Sequence, residues 1–236
     1  MSTMRKYSLW LLLLLTCLCY GQEDSTESNE EGDSKYREDQ FYIGASYNLV
    51  GDVPSGFSPR GLSGGIQLGY LRDMPINEDR TIAIAVGAGL TYDQYGENLF
   101  IGAGSTGETV FTILDESEVN FDSNRLSTAA VELPIEIRWR SSTSTSYKFW
   151  RVYAGFRVSY VYWHKATFKQ SGGNESLTNI PELDKVQLGA SLSFGYNTVN
   201  FFAYYGITPL FSNASTADGQ NVGFNSVKLG LIFYIL

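Results

Sequence analysis

The chain has 236 residues, enough for one domain or two small ones, and a formal charge of −8. Charged residues make up 18% of it, against roughly 25% in an average soluble protein, while 14% are aromatic, with 24 glycines and 6 prolines. The acidic balance argues against a nucleic-acid binder, which needs a basic face. One histidine and two early cysteines argue against a His/Cys metal site.

Residues 1–21 read as a secretory signal peptide. Arg5 and Lys6 form the basic region, Leu9 to Leu18 the apolar core, and Gly21 a small residue before Gln22. The apolar run is too short to span a bilayer, which takes about 20 residues. Cleavage after Gly21 is the preferred reading over lipidation at Cys17 or Cys19, since neither cysteine follows a small lipobox residue. It would leave a mature chain without cysteine.

Residues 22–40 hold eight acids, two bases and one aromatic. Such a stretch cannot bury enough apolar surface to order itself, so it reads as an acidic disordered periplasmic linker.

From Phe41 onward the pattern has a period of two. Phe41, Ile43, Ala45, Tyr47 and Leu49 alternate with Gly44, Ser46 and Asn48. The same alternation marks Gly61–Leu71, Thr81–Tyr92, Leu126–Arg140, Phe149–His164 and Val186–Tyr196. Asn200–Phe211 and Phe224–Leu236 are strand-like but apolar on both faces, so their facing stays open. The connections 51–60, 93–125, 165–185 and 212–223 are long, and 72–80, 141–148 and 197–199 are shorter.

Eight strands with short turns on one side and long loops on the other are the layout of an outer-membrane barrel. Each segment can supply the roughly 9–11 residues that a tilted strand needs. A lipocalin-like barrel or β-sandwich would carry its apolar face inward instead. Two features favour the membrane. The non-apolar face is largely Gly, Ser, Ala and Thr, which suits the crowded interior of a narrow barrel. Trp139 and Trp150 flank one short turn on the apolar face, as parts of an aromatic girdle. The expectation is an all-β, eight-stranded antiparallel transmembrane barrel over residues 41–236, with both termini periplasmic. The end, Phe233-Tyr234-Ile235-Leu236, only partly matches the terminal aromatic common in such barrels.

Glu132–Val161 is the most informative stretch. Alternation puts Glu132, Glu136, Arg138, Arg140, Arg151 and Arg157 on the polar face. On the lipid face an arginine at mid-bilayer costs roughly 2–4 kcal/mol, so this face points inward, where the charges can pair. A hairpin symmetric about Ser144–Thr145 predicts Glu132 opposite Arg157, Glu136 opposite Tyr153 and Arg138 opposite Arg151. The last pairing is unfavourable unless Glu136 lies diagonally between the two. A lumen-filling salt-bridge network is preferred over a charged pathway or docking site, and no open pore is expected.

Chemistry is thin. His164, the single histidine, has Ser159 and Ser171 nearby in sequence but no recognisable motif. No catalytic residue, metal site, cofactor or small-molecule substrate is expected.

Ile137-Arg138-Trp139-Arg140-Ser141-Ser142-Thr143 and Tyr147-Lys148-Phe149-Trp150-Arg151-Val152-Tyr153 resemble the PorT family of Bacteroidetes, called SprT in gliding flavobacteria. The wider resemblance, over about Phe41 to Leu236, is one of strand pattern and length. It implies a non-enzymatic outer-membrane barrel that serves type IX protein secretion, and gliding in motile relatives, as an accessory or assembly component. It brings no catalytic residues with it. The expected surroundings are outer-membrane lipid and other secretion components. The expected contact is the turn Ser141, Ser142, Thr143, Ser144, Thr145, Ser146, Tyr147 and Lys148. The alternative is a structural or adhesive barrel working through the 93–125 loop.

Overall fold

The structure, a computed structural model, describes residues 39–115, 117, 119–141 and 149–235. The expected signal peptide, the linker up to residue 38, turn residues 142–148 and the terminal Leu236 lie outside the described residues.

The described chain contains strands β1 (Gln40–Gly51), β2 (Gly64–Pro75), β3 (Ile82–Gly96), β4 (Leu99–Ala103), β5 (Thr109–Ile113), β6 (Ser123–Arg140), β7 (Trp150–Gln170), β8 (Gly173–Leu177), β9 (Val186–Tyr196), β10 (Val199–Gly206) and β11 (Asn225–Ile235). Eight of them, in the order β1-β2-β3-β6-β7-β9-β10-β11, form a closed antiparallel barrel. Closure comes from β1 pairing with β11 and β6 with β7, which leaves the barrel no free edge. The short connections 76–81 and 197–198, the end of β6 and the start of β7 gather at one end with the start of β1 and the end of β11. The long connections gather at the other.

The barrel carries its apolar residues outward. Phe41, Ile43, Tyr47 and Leu49 of β1 are exposed, while Tyr42 and Asn48 between them are buried. Every other barrel strand repeats this, and the result is a continuous apolar band far beyond the few hundred Å² that a soluble protein exposes. Hydrocarbon is the solvent that such a band fits, because a closed barrel satisfies its own backbone. The last two strands resolve in the same sense. Phe201 and Tyr205 face out, while Phe202 and Tyr204 face in; Leu229, Leu231 and Ile235 face out, while Ile232 and Tyr234 face in.

Several boundaries differ from the sequence reading. Asp39 and Gln40, read as the end of the linker, belong to the barrel. Gln40 opens β1 with its side chain fully buried, and the Asp39 carboxylate accepts from the Asp73 N–H and the Tyr70 hydroxyl. Strand β2 runs on to Pro75, so Asp73, read as part of a turn, points into the lumen. Strand β10 ends at Gly206. The 93–125 connection contains the end of β3 and a separate hairpin, β4–β5. The 165–185 connection contains the end of β7 and its partner β8. The hydrophobic alternation says where a chain can cross a bilayer. It does not say where the ladder stops, and here β6 and β7 pair well beyond the apolar band.

Two local devices shape the wall. Between Ala129 and Ala130 the β6–β7 register slips, leaving Tyr162 as the extra residue, and this bulge turns both Tyr162 and Trp163 outward. On the other side of β6, the pairing with β3 skips Gly87–Ala88 against Leu133–Pro134. Proline has no N–H to give to that ladder. At the long-loop end a second apolar cluster, including Leu99, Ile101, Phe111, Leu183, Phe211 and Phe224, packs the loops into a cap.

Candidate functional site: the charged lumen

The lumen is filled by side chains in layers. Nearest the cap, Lys228 of β11 pairs with Asp93 of β3 at 2.5 Å, and Asn48 of β1 donates to the same carboxylate at 2.9 Å. In the middle, Arg157 of β7 donates through Nη1 to Glu132 at 2.6 Å and to the Gln67 carbonyl at 3.0 Å. Its Nη2 donates to Glu136 at 3.1 Å. Its guanidinium lies 4.9 Å from the centre of the Phe202 ring. One step towards the turns, Arg138 donates from Nε to the other Glu136 oxygen at 3.1 Å, and from Nη1 to Asp73 and Gln40, each at 3.2 Å. It lies 4.4 Å over Tyr153. Lowest, Arg140 donates from Nη1 to the second Asp73 oxygen at 2.7 Å and from Nε to the Arg80 carbonyl at 2.8 Å. The result is one chain of alternating charge: Glu132, Arg157, Glu136, Arg138, Asp73, Arg140.

The side chains need room, and glycines supply it. Tyr42 lies across Gly69 of β2 and Gly89 of β3, which are themselves cross-strand partners. A Cβ on Gly69 would come within 2.6 Å of the Tyr42 ring, and one on Gly89 would collide with the Tyr42 hydroxyl. An eight-stranded barrel has an interior just wide enough for its own side chains, so each large residue requires a small one opposite.

All six charged positions singled out from the sequence are buried in the lumen. Five of them, Glu132, Glu136, Arg138, Arg140 and Arg157, lie in the ion chain. The sixth, Arg151, lies lower, 4.4 Å over the Phe149 ring. The predicted hairpin register was wrong by two residues. Glu132 lies opposite Ser159, Glu136 opposite Gly155, Arg138 opposite Tyr153 and Arg140 opposite Arg151. The like-charge neighbours are therefore Arg140 and Arg151 at the barrel's end, where Asp73 neutralises Arg140. The sequence reading missed Asp73, Gln40, Gln67 and the Asp93–Lys228 pair. For Asp73 the signal was available: outward Leu68 and Tyr70 continue through Arg72 and Met74, which puts Asp73 inward.

Trp139 and Trp150 face outward beside the turn, and Trp150 packs at 5.5 Å against Tyr196. The opposite end has its own aromatics, with Trp163 stacked on Tyr92 at 6.3 Å. Of the expected contact turn only Ser141 is described. Its N–H donates to the Trp150 carbonyl, and its hydroxyl accepts from the Trp150 N–H. Ser142 to Lys148 lie outside the described residues. His164 is half-buried on β7 opposite Thr128, and its Nε2 has no hydrogen-bond partner among the described residues.

One further carboxylate stands apart. Glu97, just past β3 in the cap, is 1% exposed, and neither of its oxygens has a hydrogen-bond partner among the described residues. Burial pushes its pKa well above the ordinary carboxylate range.

Residues 21–212 match the family described as outer membrane protein beta-barrel domain. Among solved structures the chain is similar to Ail, the attachment invasion locus protein of Yersinia pestis, at 15% identity over 84% of this chain and 97% of that one, with a TM-score of 0.34. The same protein in complex with the heparin analogue sucrose octasulfate gives 14%, 84%, 99% and 0.33. A mutant porin of Rh. blastica gives 9%, 85%, 100% and 0.21. No curated protein matches. The match over most of the chain and the closed barrel with its apolar outer band agree: the chain belongs to the outer membrane protein beta-barrel domain family, and it resides in the outer membrane.

Proposed function

We propose that this barrel is a non-enzymatic accessory or assembly component of the type IX secretion machinery. The supporting observation is the lumen itself. A barrel filled by a continuous chain of buried charges has no room to pass cargo, so its work is done at its ends or on its outer face. The resemblance of residues 137–143 and 147–153 to the PorT family supplies the machinery, and it falls on the hairpin whose base the ion chain stiffens. Arg138 and Arg140 tie the end of β6 into the lumen network, which supports the reading of the 141–148 turn as the contact with other components.

The test is a clean deletion, complemented on a plasmid, with proteomics of the medium and periplasm. Loss of sorting-domain proteins from the medium and their accumulation inside supports the reading; an unchanged secreted set refutes it. In the complemented strain, replacing residues 141–146 with glycines should reproduce the deletion, and normal secretion would remove the turn from the contact.

A second reading rests on the cap. Its buried apolar cluster and the β4–β5 hairpin give the long-loop end an ordered scaffold, which supports an adhesive role for the 93–125 loop. Trimming residues 99–113 while keeping the barrel should lower adhesion and leave secretion intact.

A further inference from the structure

Arg72 is the one charge on the outer face near the turn end of the described strands that neither the lumen network nor the girdle explains. It follows Tyr70 by two residues on β2, faces outward opposite Val86 of β3, and makes no hydrogen bond or ion pair among the described residues. An outward arginine costs little only at the level of the headgroups. In outer-membrane barrels short turns face the periplasm, which places Arg72 at the periplasmic leaflet.

Beside it the apolar wall is recessed. A hollow of about 570 Å³ opens among Phe41, Leu68, Tyr70, Ala88, Leu90 and Val131. Ala88 is paired with Tyr70, so an outward methyl stands where larger side chains surround it on every side. At the turn end of the hollow, the Tyr70 hydroxyl donates to Asp39 at 2.8 Å. The other Asp39 oxygen accepts from the N–H of Asp73 at 2.9 Å, the residue that follows Arg72. Both donors to Asp39, the Asp73 N–H and the Tyr70 hydroxyl, are neutral, and no ion pair joins Asp39 to Arg72 among the described residues, so neither charge is neutralised by the other.

An apolar recess with a guanidinium and a carboxylate just beyond the Tyr70 that lines it complements one kind of membrane molecule. We propose that it seats a single zwitterionic phospholipid of the phosphatidylethanolamine class from the periplasmic leaflet. One acyl chain fills the recess over Ala88. The phosphodiester meets Arg72, whose planar donors suit phosphate oxygens. The headgroup ammonium meets Asp39, which a purely anionic lipid would find repulsive.

Native mass spectrometry of the barrel, purified from membranes in mild detergent and titrated with an equimolar mixture of phosphatidylethanolamine and phosphatidylglycerol, tests this. The wild type should hold one phosphatidylethanolamine in preference. Arg72→Gln should bind about fivefold more weakly, as expected for one basic residue at a lipid surface. Asp39→Asn, which can still accept from Tyr70, should erase the headgroup preference, and Ala88→Trp should abolish retention. Lys185→Gln, at the far end, should change nothing. Heat-modifiable gel mobility shows that each variant is folded. Equal retention by Arg72→Gln and Ala88→Trp, wild-type binding without headgroup preference, or a second protein copy in place of lipid would each overturn the proposal. None of these outcomes depends on secretion.

Discussion

Removing Arg157 is the sharpest test of the lumen network. Its guanidinium makes three hydrogen bonds, to Glu132, Glu136 and Gln67. Desolvation offsets much of the attraction in a buried ion pair. The measurable quantity is the cost of leaving a carboxylate buried without its cation. Glu136 would keep Arg138 as a partner, whereas Glu132 has only Arg157 as its ion-pair partner among the described residues. Arg157→Met, which keeps most of the side-chain volume, should therefore lower stability by about 3–5 kcal/mol, the range for breaking a buried pair from one side.

Neutralising the stranded partner should recover part of that loss. Glu132→Gln combined with Arg157→Met should be about 1–3 kcal/mol more stable than Arg157→Met alone, a coupling typical of directly contacting residues. Urea unfolding of the barrel in lipid vesicles, followed by tryptophan fluorescence and by the gel-mobility shift, gives both numbers. A loss below about 1 kcal/mol for Arg157→Met, or a double variant no better than the single, would refute the claim that Glu132 depends on this cation.

Three further expectations follow from single features. Glu97 has a raised pKa in the folded cap, so its contribution is favourable at low pH and is lost as pH rises above the ordinary carboxylate value; proteolytic resistance of the loops should fall from acid to neutral pH, and Glu97→Gln should flatten that profile and protect the cap at pH 7. Gly89→Val drives a side chain into the Tyr42 hydroxyl and the Leu68 carbonyl and should cost about 1–3 kcal/mol in the same unfolding assay, with part of it returned by Tyr42→Leu. Trp139 and Trp150 face lipid near the turns and Trp163 near the loops, so single-tryptophan variants in vesicles carrying depth-placed quenchers should give matching depths in one leaflet for the first two and a depth in the opposite leaflet for Trp163.

The barrel was legible because its solvent inverts the usual pattern without blurring it. Period-two alternation with aromatic and branched residues on one face, and Gly, Ser and charge on the other, says both strand and facing once the arginines are assigned to the interior. What escaped was everything that alternation does not encode. The cap strands β4, β5 and β8 are five residues each, too short to show a period. Asp73 sat behind Arg72 in a stretch that composition made look like a turn. The hairpin register depended on a turn whose geometry sequence symmetry does not fix, and it came out two residues away.

That two-residue error points to what the ion chain contributes. A slip of one residue between β6 and β7 would throw every lumen side chain into lipid, so alternation alone forbids odd slips. A slip of two preserves every facing and is invisible to hydrophobicity. In the predicted register Arg138 would sit opposite Arg151; in the observed one it lies opposite Tyr153, and the same guanidinium reaches Glu136, Asp73 and Gln40 on three strands, β6, β2 and β1. Buried ion pairs add little net stability compared with apolar packing, and their best-attested use is in fixing register. In this barrel the apolar face excludes the odd slips and the charges discriminate among the even ones, so together they select one pairing of β6 with β7.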